Sequence, residues 1–293
     1  MIEELDEYDE KFSLPVRLRW HTLEFGSSFS GIRSLADGPR EQILDIQDVS
    51  INFGGIVALD GVTIDIAPGE IFGLIGPNGS GKTTLFNCLS RLYTPNSGRI
   101  EFKGQDVLAL APHQVTTLGL SRTFQNLALF SSMNVVDNVL VGCHVRSRSD
   151  YISAALRLPW ARREEDVLID VAWRWISELG LEKVAYEAVS DLPFGTQKQV
   201  EMTRALASDP DLLLLDEPAG GIAHDEISGL ERLIRRIRDE HGITILLVEH
   251  NVGLVMRVSD RVAVLDFGKK IADAGPEEVQ RDPEVIRAYL GTE

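Results

Sequence analysis

Three periodicities divide this chain. From Ile43 to Phe53 apolar and polar residues largely alternate, and after Gly54-Gly55 the alternation resumes from Val57 to Ile66. A period of two broken by a glycine turn predicts two antiparallel strands, each with one face on a core. Three later runs are continuous without alternating, Ile71–Ile75, Leu212–Leu215 and Thr244–Val248, and a further strand is predicted over Arg261–Leu265. Short continuous runs predict strands buried on both faces, as in a parallel sheet. Elsewhere the period lengthens. Val135, Val136, Val139, Leu140 and Cys143 share a helical face, as do Val167, Leu168, Val171, Ala172, Trp175, Ile176 and Leu179 on a helix from about Arg162. Further helices are predicted over about 197–207, 224–238 and 252–258, with two short ones from Pro276 and from Pro283. Short strands are expected near 99–102, 120–123 and 270–274, with one or two helical turns at 113–118.

Strands alternating with helices predict an α/β fold with a mainly parallel core sheet and its ligand at the strand C-termini. An antiparallel β subdomain precedes that sheet, and residues 131–190 form a helical insert. Residues 1–40 lack periodicity and carry linker signals at Ser27-Ser28, Gly31 and Gly38-Pro39. They are expected to be a flexible extension to a domain spanning 41–293.

Composition narrows the classes. Of 293 residues, 44% are hydrophobic and 25% charged, the values of an ordinary globular protein. The net charge of −16 argues against a nucleic-acid partner, whose phosphates call for lysine and arginine. Much of the acidity is local: Glu3, Glu4, Asp6, Glu7, Asp9 and Glu10 crowd the start without a basic neighbour, the pattern of a solvated tail. The two cysteines, Cys88 and Cys143, occupy apolar helical positions and read as buried thiols in a reducing compartment. No basic-then-apolar leader opens the chain and no apolar run approaches the ~20 residues of a membrane helix. A cytoplasmic protein is expected, with any membrane role exercised through a partner.

The chemistry is concentrated after the first buried run. Ile71–Ile75 leads into Gly76-Pro77-Asn78-Gly79-Ser80-Gly81-Lys82-Thr83-Thr84 and then a helical pattern. Strand, glycine-rich loop and helix form a phosphate cradle, in which backbone N–H groups from about Gly79 to Thr84 point at phosphate oxygens. Lys82 is placed to reach the β- and γ-phosphates, and the Thr83 hydroxyl to bind Mg²⁺. Asp216 closes an apolar run and is expected beside the cradle as a second metal ligand. Glu217 follows at once, suited to polarise the water that attacks the γ-phosphate. His250, one residue past another buried strand, emerges on the same edge to contact that phosphate. Gln125, between a strand and the helical insert, is expected at the metal or the attacking water. Phe53, at a strand end, is expected to stack on adenine.

With these residues in place the chain resembles the ATP-binding subunit of ABC transporters over roughly residues 43–290. GPNGSGKTT, RTFQN, a glycine-bearing segment before a helix, LLLLDEP and LLVEH occur in that order. INFGG before ALDGV, SRTFQNLALF, DEPAGG, VEHNVGLVMRVSDRVAVLDFGK and RDPEVIRAYLG are similar to the branched-chain amino acid importer subfamily. The resemblance implies a head-to-tail dimer of ATPase subunits, identical or not, enclosing two ATP molecules with Mg²⁺. Each cradle would face the other subunit's signature segment, here around Gly195. It also implies a place on the inner face of the cell membrane, two transmembrane permease subunits gripped through the Gln125 region and the insert, and an extracytoplasmic solute-binding protein.

Three positions depart from the family pattern. Pro193 stands where a small residue, often serine, is usual, Thr196 where glutamine or glutamate is usual, and Ala223 where many members have aspartate. Proline offers neither hydroxyl nor N–H, so the signature face is expected to be weaker than the phosphate cradle. Such asymmetry suits an importer with two different ATPase subunits. Alternatives are a motor for another cargo, such as urea, amides or an exported lipid, a soluble ABC-type ATPase, and a regulator that binds ATP without hydrolysing it.

Overall fold

Among the described residues ten strands form two sheets. The structure, a computed structural model, describes residues 42–123, 127–147, 158–222 and 226–290, all within one unit that begins at Arg40. The extension 1–40, Gln125 and Ala223 therefore lie outside the described residues.

Strands β1 (Leu44–Phe53) and β2 (Ile56–Ile66) pair antiparallel around the Gly54-Gly55 turn. Strands β4 (Ser97–Phe102) and β5 (Gln105–Asp106) extend them into a four-stranded sheet of order β2-β1-β4-β5. The second sheet contains β3 (Ile71–Ile75), β6 (Leu120–Arg122), β7 (Leu212–Asp216), β8 (Thr244–Val248), β9 (Arg261–Asp266) and β10 (Lys269–Ala274). Its order is β10-β9-β3-β8-β7-β6. All pairs are parallel except β10 with β9, which form a hairpin through Phe267-Gly268. Leu74 and Asp216 both stand opposite Val248, so β3, β7 and β8 finish at one edge.

The apolar runs do not alternate because both faces of this sheet are covered. Phe72, Leu74, Leu214 and Leu246 pack under the antiparallel sheet with Leu85, Phe86 and Leu89 of helix α1 (Lys82–Leu89). Ile71, Ile75, Leu213 and Leu247 pack into the helical layer on the other side. Each such side chain, taken fully from water, contributes about 1.5–3 kcal/mol. The helical layer lies close. A side chain at Gly73 would place its Cβ 2.4 Å from Val255 of helix α7 (Val252–Val258), so only glycine lets that helix rest on the strand.

After the short helix α2 (Pro112–Thr117) and β6, the chain enters the helical region. Val189 and Ser190 N–H groups bond Met133 and Ser131 carbonyls, and Asn134 bridges Ala188, so the region leaves where it entered. Buried Asn138 fastens that neck, accepting from Phe130 N–H and donating to the Phe130 and Asn134 carbonyls. Within the region, α3 (Val135–Cys143) and α4 (Pro159–Glu178) precede α5 (Phe194–Leu206). Helix α5 begins three residues before the apolar period suggests. Pro193 takes its N-cap at φ −55° and ψ 148°, a place where the missing N–H costs nothing. Helix α6 (Ile227–His241) likewise outruns its predicted end and stops only at Gly242, in the left-handed conformation that closes helices. Helices α8 (Pro276–Arg281) and α9 (Pro283–Leu290) complete the described chain. Both cysteines are buried free thiols, and burial pushes each up to about 11. No described helix is long and apolar enough to cross a membrane.

Candidate nucleotide-hydrolysis site

The edge where β3, β7 and β8 end carries the predicted residues. After Ile75 the backbone winds through Gly76, Gly79 and Gly81 at φ +150°, +79° and +107°. Gly76 is the tightest point: a Cβ there would meet the Leu265 carbonyl at 2.1 Å. The loop is supported from outside as well, since Gly268 N–H donates to the Ser80 carbonyl. Gly81 is the N-cap of α1, and neither a side-chain cap nor an acidic residue occupies that helix's first turn. The first-turn N–H groups and the helix dipole are thus left for an anion. Thr83 is exposed there, while Lys82 is buried and curls over the loop. Its Nζ donates to the Gly76 and Pro77 carbonyls at 2.7 and 3.0 Å. Burial lowers the Lys82 pKa, which the negative charge of Glu217 partly offsets.

Asp216, at the end of β7, is 1% exposed. Its Oδ2 accepts from Arg122 Nη2 at 2.6 Å, and its Oδ1 is buried without a hydrogen-bond partner among the described residues. Arg122 also donates through Nη1 to Asn87 and Ser90 of the α1 region, and its guanidinium lies over Phe86. One residue further, Glu217 adopts φ +50°, and its Oε1 is 2.6 Å from His250 Nε2. That contact joins two residues predicted separately. Beneath it lies Glu249. Its Oε1 accepts from Ala219 N–H at 2.5 Å and its Oε2 from His250 and Asn251 N–H at 3.0 and 3.3 Å. Burial raises the Glu249 pKa, the three N–H groups oppose that shift, and the Glu217 charge adds to it.

Phe53 is half exposed at the end of β1, with Tyr93 edge-on at 5.1 Å between ring centroids. Gly195 is the second residue of α5, remote in sequence from the cradle. Phe194 before it packs onto Gly221 in the loop after Glu217, where any Cβ would meet the ring at 2.6 Å. The signature segment therefore rests on the loop that carries Glu217. Pattern reading missed Arg122, Tyr93 and the bonding of Glu249. For Arg122 and Glu249 the available signal was a charged residue at the end of a buried strand, where an unpaired charge is costly.

Comparison with known proteins identifies the family. The profile of the ABC transporter family matches residues 59–220, and that of the branched-chain amino acid ATP-binding cassette transporter matches residues 269–293. The chain is 38% identical over 249 residues to the high-affinity branched-chain amino acid transport ATP-binding protein BraF of Pseudomonas aeruginosa. That match covers 85% of this chain and 98% of BraF. It is 39% identical over 251 residues to LivG of Escherichia coli K12, a protein of the same description, covering 86% and 98% of the two chains. The structure of the ADP conformation of MJ1267, an ATP-binding cassette of an ABC transporter, superposes with a TM-score of 0.74 at 30% identity, over 86% of this chain and 99% of that one. A nucleotide-free ATP-binding cassette gives the same TM-score and identity, over 86% and 100%. With the family profile across more than half of the chain and relatives matched over nearly their whole length, this chain belongs to the ABC transporter family as one of its ATP-binding, ATP-hydrolysing subunits.

Proposed function

We propose that the chain drives an importer for branched-chain amino acids, with Glu217 and His250 performing hydrolysis at the edge described above. The observation that carries this reading is the 2.6 Å contact between His250 Nε2 and Glu217 Oε1, next to the cradle and Asp216. Lys82 and the first-turn N–H groups of α1 bind the phosphates, and Phe53 with Tyr93 forms the adenine platform. Glu217 takes a proton from the attacking water, while Lys82 and His250 stabilise the charge on the leaving phosphate. The donor set fits Mg²⁺: the Thr83 hydroxyl and the Asp216 Oδ1, which has no partner among the described residues, are hard oxygens, and the sequence offers Gln125 as a further ligand. Magnesium bound there supplies charge neutralisation on the phosphates.

Gly195 serves the nucleotide of a second ATPase subunit, identical or different, placed head to tail. The helical region presents exposed Phe130, Met133 and Tyr186 near its neck, apolar surface suited to one of two permease subunits at the membrane's inner face. The cargo rests on the relatives' names, and the solute-binding protein on the family's arrangement.

Glu217→Gln tests the reading. The variant is expected to bind ATP, to retain it unhydrolysed and to lose turnover by roughly a hundredfold or more. Light scattering with and without ATP then sizes it. An ATP-dependent dimer places a second copy of this chain opposite the cradle, whereas an ATP-bound monomer points to a different ATPase subunit. Turnover at the wild-type rate would overturn the role given to Glu217.

A further inference from the structure

Glu249 has no part in the roles assigned above, yet it is 4% exposed and fully engaged. One oxygen accepts from Ala219, two residues beyond Glu217, and the other accepts from His250 and Asn251. A single carboxylate thus spans the loop that bears Glu217 and the loop that bears His250. The restraint has work to do, because Glu217 stands in the left-handed region at φ +50°. A non-glycine residue there is costlier by about 1–3 kcal/mol and persists only where its surroundings impose it. Upstream, the Glu217 N–H is tied to the Val248 carbonyl at 2.9 Å. Downstream, the tie is Ala219 to Glu249.

We infer that Glu249 is a positioning residue that holds Glu217 and His250 in register for hydrolysis. It touches no reacting atom. It acts by fixing the two loops relative to each other, and only an ionised carboxylate, with acceptors on both oxygens, can serve both at once. Glutamine in its place turns an NH₂ donor against one set of N–H groups, releasing one loop. Aspartate keeps the charge and its bonds to its own loop, but is a methylene short of Ala219.

The inference rests on Glu217 and His250 being the hydrolytic pair, and the test separates the two claims. Glu249→Gln, Glu249→Asp, His250→Ala and Glu249→Gln/His250→Ala are prepared as full chains assembled with their transport partners. ATP affinity is measured with a fluorescent analogue, and turnover as kcat per nucleotide site. Both Glu249 variants are expected to lose roughly tenfold or more in kcat, the scale set by displacing a reacting group by about an ångström. ATP affinity should stay within about threefold, since its contacts lie on the cradle and α1. In the His250→Ala background Glu249→Gln should cost less than it does in the otherwise wild-type chain, because only the hold on the Glu217 loop is then left to lose. Aspartate covers the case in which glutamine fails to fold. The inference is overturned by wild-type kcat in either folded Glu249 variant, by a full multiplicative loss in the double variant, or by ATP affinity falling in step with kcat. Wild-type turnover in His250→Ala would instead remove the pair on which the inference stands.

Discussion

Arg122 and Asp216 form an ion pair with side chains 7% and 1% exposed, and removing one partner strands the other charge in the interior. Arg122→Met is therefore expected to destabilise the protein by about 3–5 kcal/mol, a loss that Asp216→Asn in the same chain should largely return. Urea unfolding at pH 7 with EDTA measures both. A single variant within about 1 kcal/mol of wild type would show that water or rearrangement compensates Asp216. The positions of Lys82, Thr83, Asp216, Glu217 and His250 at the strand-end edge were legible from sequence because each sits at a set offset from an apolar strand or a glycine loop. Arg122 was not, because its partner lies 94 positions away and its other bonds reach back to α1. Spacing along one strand does not reveal what meets across three elements. The same limit hid Glu249, whose bond to Ala219 spans 30 positions.

At the scale of elements, α5 shows a helix built on an unusual cap. Pro193 gives its first turn no side-chain acceptor, so the cap residue satisfies none of the N–H groups there. Serine at 193 would supply a hydroxyl both to that turn and to a phosphate lying against it. Caps of this kind contribute about 1 kcal/mol, so Pro193→Ser is expected to raise the melting temperature by a few degrees. A hydrogen bond to a charged group contributes about 1.5–3 kcal/mol, so even half of one would raise ATPase turnover of the assembled complex severalfold. A gain in stability without a gain in turnover would show that the signature segment does not meet a phosphate through position 193. The existence and type of α5 were readable from its apolar period, but its first turn was not. Phe194, Gly195 and Thr196 interrupt that period because their surroundings are the Glu217 loop and solvent rather than a core.

Across the whole molecule, two sheets with separate strand ladders are joined by the Asp60 N–H bond to the Gly268 carbonyl and clasped by Arg261 on β9. Its guanidinium bonds Asp65 on β2 at 3.0 and 3.2 Å and Asp273 on β10 at 2.6 and 3.2 Å, and approaches Glu70 between β2 and β3. The runs of period two and the continuous apolar runs told the antiparallel sheet from the parallel one, but which edges meet was not written in either pattern. It depends on charged residues that read locally as ordinary surface positions. The clasp predicts a pH dependence. Burial alone would raise the Asp273 pKa, but hydrogen bonds and charge from Arg261 and Lys270 outweigh it and hold the carboxyl below its ordinary value. Arg261 itself is raised and stays charged wherever the protein folds. A carboxyl depressed in the folded state binds its proton more readily when unfolded. Its contribution is therefore complete above the unfolded value of about 3.9 and is lost as pH falls through the lower, folded one. Asp273→Asn should accordingly cost about 1.5–3 kcal/mol at pH 7, the range for hydrogen bonds to charged groups. The gap between variant and wild type should close as the pH is taken from about 4 downward. Urea midpoints at pH 7, 4 and 3 decide the matter: a gap that stays constant over that range would mean Asp273 stabilises by shape and packing, and that its charge on Arg261 does not hold the sheets together.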